Sequence, residues 1–242
     1  MANKQLQKRH IYTEFTSETI NKRVHEMLLK RDLVDVENAH VKFSYGNRKT
    51  GALVPSVSLI PIADCGNCAS CARGCYDIRH VCCYNESQSQ RANNSALYKY
   101  EPVRFMQEIA SAVKFLRFFR YFVGGDLKEP AMLTAMVDIA IKTPTCEFLL
   151  FTKMYDIVNG YLDDHAEGFP KNFHVILSGW RGDVDVNRHG LPVSSPVWKD
   201  GSKSCMCTER EFLCPGDCTS CAEINGGCWS AKKGDTILFE AH

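Results

Sequence analysis

The chain is 242 residues long, 45% hydrophobic and 24% charged, with 29 Lys and Arg against 28 Asp and Glu and a formal net charge of +1. That length supports one α/β core or at most two small ones, and the near-neutral balance supplies no basic field that would indicate nucleic acid as a partner. Thirteen cysteines are heavy usage, yet their number is odd and the N-terminal stretch from Met1 to Arg9 has no apolar leader. No uninterrupted apolar segment is long enough to span a bilayer. A secreted disulfide scaffold is therefore not expected. The expected setting is a reducing cytoplasm without a membrane partner, where clustered thiols mean metal.

In chain order, residues 16–38 predict a helix. Thr16 or Ser17 can cap it, and Ile20, Val24, Met27, Leu28 and Leu33 recur near helical spacing. Lys4, Lys8, Arg9, Lys22, Arg23, Lys30 and Arg31 make the first 31 residues locally basic, which reads as a solvated helix face rather than a polyanion contact. Val41 to Tyr45 alternates as a strand does, and the β-prone stretch Leu53 to Ile62 leads into a cysteine loop. After a polar stretch, Asn85 to Asn94, a helix is predicted from Pro102, with Phe105, Ile109, Val113 and Leu116 on one face. The pattern then predicts a strand from Phe118 into Gly124-Gly125-Asp126, a helix over 130–142, a strand at Glu147–Thr152, a helix over 154–163 and a strand at Phe173–Ser178. A last strand is predicted at Asp235–Glu240. Such alternation predicts a single α/β domain built on a parallel sheet or partial (β/α) barrel. Residues 1–40 form a helical extension to it, and 41–242 form the cysteine-rich domain. The aromatic run Phe115, Phe118, Phe119, Tyr121 and Phe122 reads as core.

Two cysteine groups carry the chemistry. Cys65, Cys68, Cys71 and Cys75 fall at spacings of two, two and three intervening residues, the run by which ferredoxin-type loops wrap thiolates around an iron–sulfur cube. Gly66 and Gly74 let that backbone bend tightly. Near the end of the chain, Cys214, Cys218 and Cys221 have C-x3-C-x2-C spacing, with Cys228 following after six intervening residues and Cys205 and Cys207 preceding. Three thiolates so spaced resemble the cluster loop of radical S-adenosylmethionine enzymes, although there the loop follows the first strand and the fourth nearby thiol is missing. A structural zinc knuckle suits the same four residues. Cys82 and Cys83 stand apart, and Cys146 reads as a small core residue. The eight histidines form no HxxxH or HExxH pattern, which argues against a His-based hydrolytic metal site.

Function in α/β folds collects at the carboxyl ends of strands. Gly124, Gly125 and Asp126 form a Gly-Gly-acidic turn of the kind that could hold the amino group of S-adenosylmethionine; a plain βα turn would also explain it. Lys153 and Arg181, at two further strand ends, could orient an anion or be surface charges.

Taken together, Tyr45-Gly-Asn-Arg-Lys-Thr-Gly51 ahead of a strand, the thiol run ending Cys75-Tyr76, the strand ends at Asp126 and Thr152, and Cys218-x2-Cys221-x6-Cys228-Trp229 resemble the phage gene product 88 family over roughly residues 43–242. The resemblance implies a phage or prophage protein acting in the host cytoplasm, a barrel-like α/β fold and iron–sulfur binding, without an assigned reaction. The expectation is one or two [4Fe–4S] centres on the two cysteine groups, flanking the sheet's carboxyl edge and doing redox or S-adenosylmethionine-type radical chemistry. The alternative is a zinc-stapled, non-catalytic protein that binds a host partner.

Overall fold

The computed structural model describes residues 15–46, 53–66, 71–180, 187–203 and 207–240. Among these, seven strands form one sheet: β1 (Ser56–Val57), β2 (Phe118–Tyr121), β3 (Glu147–Thr152), β4 (Phe173–Ser178), β5 (Val193–Val197), β6 (Arg210–Leu213) and β7 (Asp235–Glu240). Their order is β1-β2-β3-β4-β5-β7-β6, and every pairing is parallel. The chain is thus the single α/β domain that its alternation predicts. Helices α2 (Tyr76–Cys83), α3 (Asn85–Tyr100) and α4 (Pro102–Val113) connect β1 to β2; α5 (Pro130–Lys142) connects β2 to β3, and α6 (Tyr155–Asp164) connects β3 to β4.

Side chains alternate across a strand, so each strand offers one residue set to each face. Val57, Phe119, Tyr121, Phe148, Leu150, Val175, Leu177 and Val193 form one continuous core with Phe105 and Ile109 of α4, Leu133 and Met136 of α5 and Val158 of α6. The opposite face carries Phe118, Leu149, Ile176 and Ile237. It is covered by the tail of the chain: α7 (Cys218–Glu223) and a 3-10 turn, Gly227–Trp229. Helices therefore cover one wall of the sheet and the cysteine-bearing tail covers the other. Phe118, Phe119, Tyr121 and Phe122 are buried as expected for core, whereas Phe115 is 92% exposed.

Helix α1 (Ser17–Asp32) starts on the predicted cap, where Thr16 Oγ1 accepts from Thr19 N, but it ends six residues short of the predicted boundary. Its basic residues are largely occupied: Arg23 pairs with Glu26, Arg31 with Asp32, and Lys30 donates to Gln88. Met27 packs with Ile60, Ile78 and Val81, which seats the helix beside the cysteine loop.

One expectation fails, for a reason found in a stretch to which the sequence assigns no element. The strand expected over Val41 to Tyr45 is reduced to an isolated antiparallel bridge between Ser44 and Ser56. The polar stretch from Asn85 is instead the buried helix α3, whose Gln88, Arg91, Asn93, Asn94 and Ser95 are all nearly inaccessible. These polar residues satisfy the backbone that a partner strand would otherwise satisfy. Lys42 N donates to Asn94 Oδ1, Asn94 Nδ2 donates to Lys42 O and Ser58 O, and Asn93 Nδ2 donates to His40 O. A helix that works through hydrogen bonds carries no apolar period.

Arg91 also makes the best-formed buried ion pair of the described residues. Its Nε and Nη2 reach Asp77 Oδ2 and Oδ1 at 2.8 and 2.5 Å, and its Nη1 donates to Ser87 O. The pair leaves no room at the turn after β2, where a Cβ on Gly124 would lie 1.9 Å from Asp77 Oδ2. Separating a buried pair costs about 3–5 kcal/mol. Gly124→Ala is therefore expected to lower unfolding stability by on the order of 3 kcal/mol, measured as a shift in the urea midpoint. An unchanged midpoint would show that the turn does not depend on the pair.

Candidate metal centres

The first thiol group lies at the carboxyl edge of the sheet. Beyond β1 the chain turns at Ile62, and Asp64, 6% exposed, fixes the turn by accepting from Ile60 N through Oδ2. Asp64 O accepts from Asp126 N at 3.0 Å, and Lys128 Nζ reaches Ala63 O, so the loop is tied to the end of β2. Cys65 follows, its sulfur accepting from Ile62 N at 3.3 Å. Gly66 sits so close to Met154 that a Cβ there would lie 2.4 Å from its sulfur. Cys75 occupies the N-cap of α2. Burial pushes its thiol up to about 12, with Asp77 adding to the shift, against the pull of the Ile78 and Asp77 N–H groups. Burial also pushes the Cys65 thiol upward, reinforced by the Asp126 carboxylate and then by Cys75 and Cys71. Cys65, Cys71 and Cys75 therefore share one neighbourhood. Cys68 lies outside the described residues.

The second group is built by the tail. Cys214 N donates to Leu238 O, continuing the β6 ladder by one residue. Asp217 caps α7 by accepting from the N–H groups of Thr219 and Ser220, which places Cys218 and Cys221 on one short helix. Gly227, at φ +59°, returns the chain so closely that a Cβ would lie 3.0 Å from Cys221 Sγ, and Cys228 follows. Burial pushes the Cys228 thiol up to about 12, and Cys214, Cys218 and Cys221 add to the shift while Arg120 opposes it. Cys221 is raised by burial and then by Cys214 and Cys218. All four thiols share one cluster with Trp229, whose ring meets Phe118 at 5.0 Å and His174 at 6.0 Å. The tail group lies across the sheet face of Phe118, Leu149, Ile176 and Ile237, the inner wall, rather than beside the carboxyl edge.

All described cysteines carry free thiols, so no disulfide joins the described members of either group. Among the described residues, no three His, Cys, Asp or Glu side chains are already disposed to hold a metal ion. The donor set of the tail is nonetheless uniform and uncontested, four thiols with a buried arginine nearby. Cys146 is the core residue that its context predicts, and Cys83 is exposed at the end of α2.

The Gly-Gly-acidic turn has internal work. Gly124 makes room for the Asp77–Arg91 pair, and Gly125, at φ +79°, would place a Cβ 2.7 Å from Leu59 Cβ. Asp126 is 7% exposed; its Oδ1 accepts from Leu127 N at 2.7 Å and its Oδ2 from Lys153 N at 2.8 Å. That carboxylate therefore staples the end of β2 to the end of β3. The Lys153 ammonium stands 5.6 Å from the centre of the Trp180 ring, which meets Trp198 edge-on at 4.9 Å. Arg181 lies outside the described residues.

Two features of the site escape a reading of spacing. Arg120, 8% exposed, stands on the inner wall with Phe118. The available signal was a lone charge inside the aromatic run from Phe118 to Phe122. The other is a cavity of about 650 Å³ beside Cys75, lined by Ser56, Ser58, Tyr76, Asp77, His80 and Arg91 among others. There the Tyr76 hydroxyl donates to Val123 O, and His80 meets Ser87 Oγ at 3.0 Å. Burial and then Arg91 hold the His80 pKa below its ordinary value, which favours the neutral ring.

Burial raises the Asp126 pKa against the opposing pull of the Lys153 N–H, the Thr152 hydroxyl and the Leu127 N–H. The folded chain thus keeps this proton to higher pH than the unfolded chain, and the associated stability is lost as pH rises above the ordinary aspartate range. Asp126→Asn cannot ionise, so its stability relative to the parent should improve as pH rises through and above the ordinary aspartate range. Denaturation across that range checks this, and a pH-independent offset would contradict it.

Comparison with curated proteins and with solved structures gives no match. Among the described residues, no helix is long and apolar enough to cross a membrane. The family described as Gene product 88 matches residues 24–191. That span takes in most of α1, which the resemblance read from motifs leaves out, and it stops ahead of β5 and the tail cysteines. Covering well over half of the sequence, the match shows that this chain belongs to the Gene product 88 family.

Proposed function

We propose that this protein is a thiolate–metal protein with two centres of different use. Cys214, Cys218, Cys221 and Cys228 form a closed four-thiolate centre that fixes the tail to the inner wall. The run at Cys65, Cys68, Cys71 and Cys75 forms an iron–sulfur centre at the carboxyl edge, beside the cavity. The observation that carries this reading is the gathering of the four free tail thiols on one wall of the sheet. Free thiols that must shed protons and close together on uptake are the usual state of a metal site whose formation is coupled to binding.

An iron–sulfur group at the edge would supply one-electron chemistry there. The residues around it bind and orient. Cys75 is held by the N-terminal N–H groups of α2, and the cavity offers the hydroxyls of Ser56 and Ser58 and the neutral His80 ring to a small polar substrate. Its volume suits a small molecule. Redox chemistry has more support than S-adenosylmethionine chemistry, because the groups of the Gly-Gly-acidic turn are spent on Asp77, Leu59 and the backbone of β3. A second reading, zinc in the tail with no chemistry, is favoured by the closed count of four thiols.

Anaerobic purification followed by iron, zinc and acid-labile sulfide analysis tests both readings. The expected result is a coloured protein holding iron and sulfide. Cys75→Ala should lose the iron of the edge centre and keep the metal of the tail, and Cys221→Ala should do the reverse. A colourless protein with stoichiometric zinc would support the second reading. Loss of all metal in either variant would contradict two separate centres, and no bound metal would overturn the proposal.

A further inference from the structure

Arg120 is a buried charge that no carboxylate of the described residues answers. It lies mid-strand in β2, and the two-residue period puts it on the wall that Phe118 shares with Trp229, the neighbour of Cys228. Its Nε has no hydrogen-bond partner, and among the described residues no carboxylate pairs with it. The guanidinium lies 4.9 Å from the centre of the Phe151 ring, and Phe151 packs in the same cluster as Cys214, Cys218, Cys221 and Cys228. An arginine cannot shed its proton, and a buried unpaired cation is costly. The other polar groups against this wall are already committed: His174 Nε2 meets Glu147 Oε2 at 2.7 Å.

We infer that Arg120 is the built-in counter-charge of the tail centre, a positioning residue that holds the net negative charge of the metal–thiolate group on the inner wall. Four thiolates around one divalent cation carry a net charge of about −2, and a four-thiolate iron–sulfur cube is anionic as well. Either one supplies what the guanidinium lacks. This inference rests on the tail centre proposed above and adds its electrostatic partner.

The test uses the full chain loaded with Zn²⁺ alone and competed with a chromophoric chelator, for the parent, Arg120→Met and Arg120→Lys. Loss of a partner that tunes a metal centre typically costs about 10- to 100-fold in metal affinity. Arg120→Met should show a loss in that range from the tail centre, and Arg120→Lys should recover most of it. The metal-free proteins give the discriminating readout. Removing an unanswered buried cation should leave apo Arg120→Met at least as resistant to urea as the parent, so affinity and apo stability move apart. A merely structural arginine would lower both. If Arg120→Met holds Zn²⁺ as tightly as the parent, or if it loses apo stability and Arg120→Lys fails to restore affinity, the counter-charge role is overturned while the centre stands. If the parent takes up no Zn²⁺ on its tail thiols, the centre falls and this inference with it.

Discussion

A buried ion pair organises one end of this molecule. Asp77 belongs to the helix that follows the cysteine run, Arg91 belongs to the polar helix behind it, and both press on the glycine that ends the β2 turn. Through that contact, the described residues around Cys65 and Cys75, the stretch from His40 to Lys42, the end of β1 at Ser58 and the carboxyl end of the sheet share one set of constraints. The hydrogen bonds of Asn93, Asn94, Asp64 and Asp126 extend the same network. Each bond is modest alone, but in a dry setting every member that loses its partner is expensive. The network thus holds the carboxyl edge at Asp64, which precedes Cys65, and at Asp77, two residues after Cys75.

The two walls of the sheet do different jobs. The outer wall is an apolar surface closed by α4, α5 and α6. The inner wall mixes apolar residues with Arg120, His174 and Glu147, and it is closed by a tail rich in thiols instead of by a helix layer. A tail with one six-residue helix and a single 3-10 turn has little core of its own. Metal ligation is the economical way for so short a segment to hold its shape. Trp229, wedged against Phe118 and His174, supplies the apolar anchor.

The stretch from Pro102 to Ser178 was legible because apolar period and element type agree there. The proline at the first turn of α4, the bounds of α5, β3 and β4, and the closing strand β7 all follow from pattern. The stretch around the cysteine run was not legible, since α3 is buried through amides and a guanidinium, and those leave no period. Strand β5 was hidden by its Ser194-Ser195-Pro196 centre, and β6 by its position at the sheet edge, where Arg210, Glu211 and Leu213 face solvent. At the site, thiol spacing named the two groups, because short cysteine spacings keep thiols near one another whatever the fold. It could not show that the tail lies across the inner wall, nor that Arg120 waits there, since both depend on which face a strand residue takes. The Gly-Gly-acidic turn shows the opposite limit: its pattern suggests a ligand site, and the structure gives each residue a packing duty.

The central claim is that the four tail thiols close on one metal against the inner wall. X-ray absorption at the metal edge tests it most directly, on a chain in which Cys65, Cys68, Cys71 and Cys75 are replaced by serine so that only the tail contributes. The account predicts a first shell of about four sulfurs, near 2.3 Å if the metal is zinc. A shell dominated by nitrogen or oxygen would contradict it.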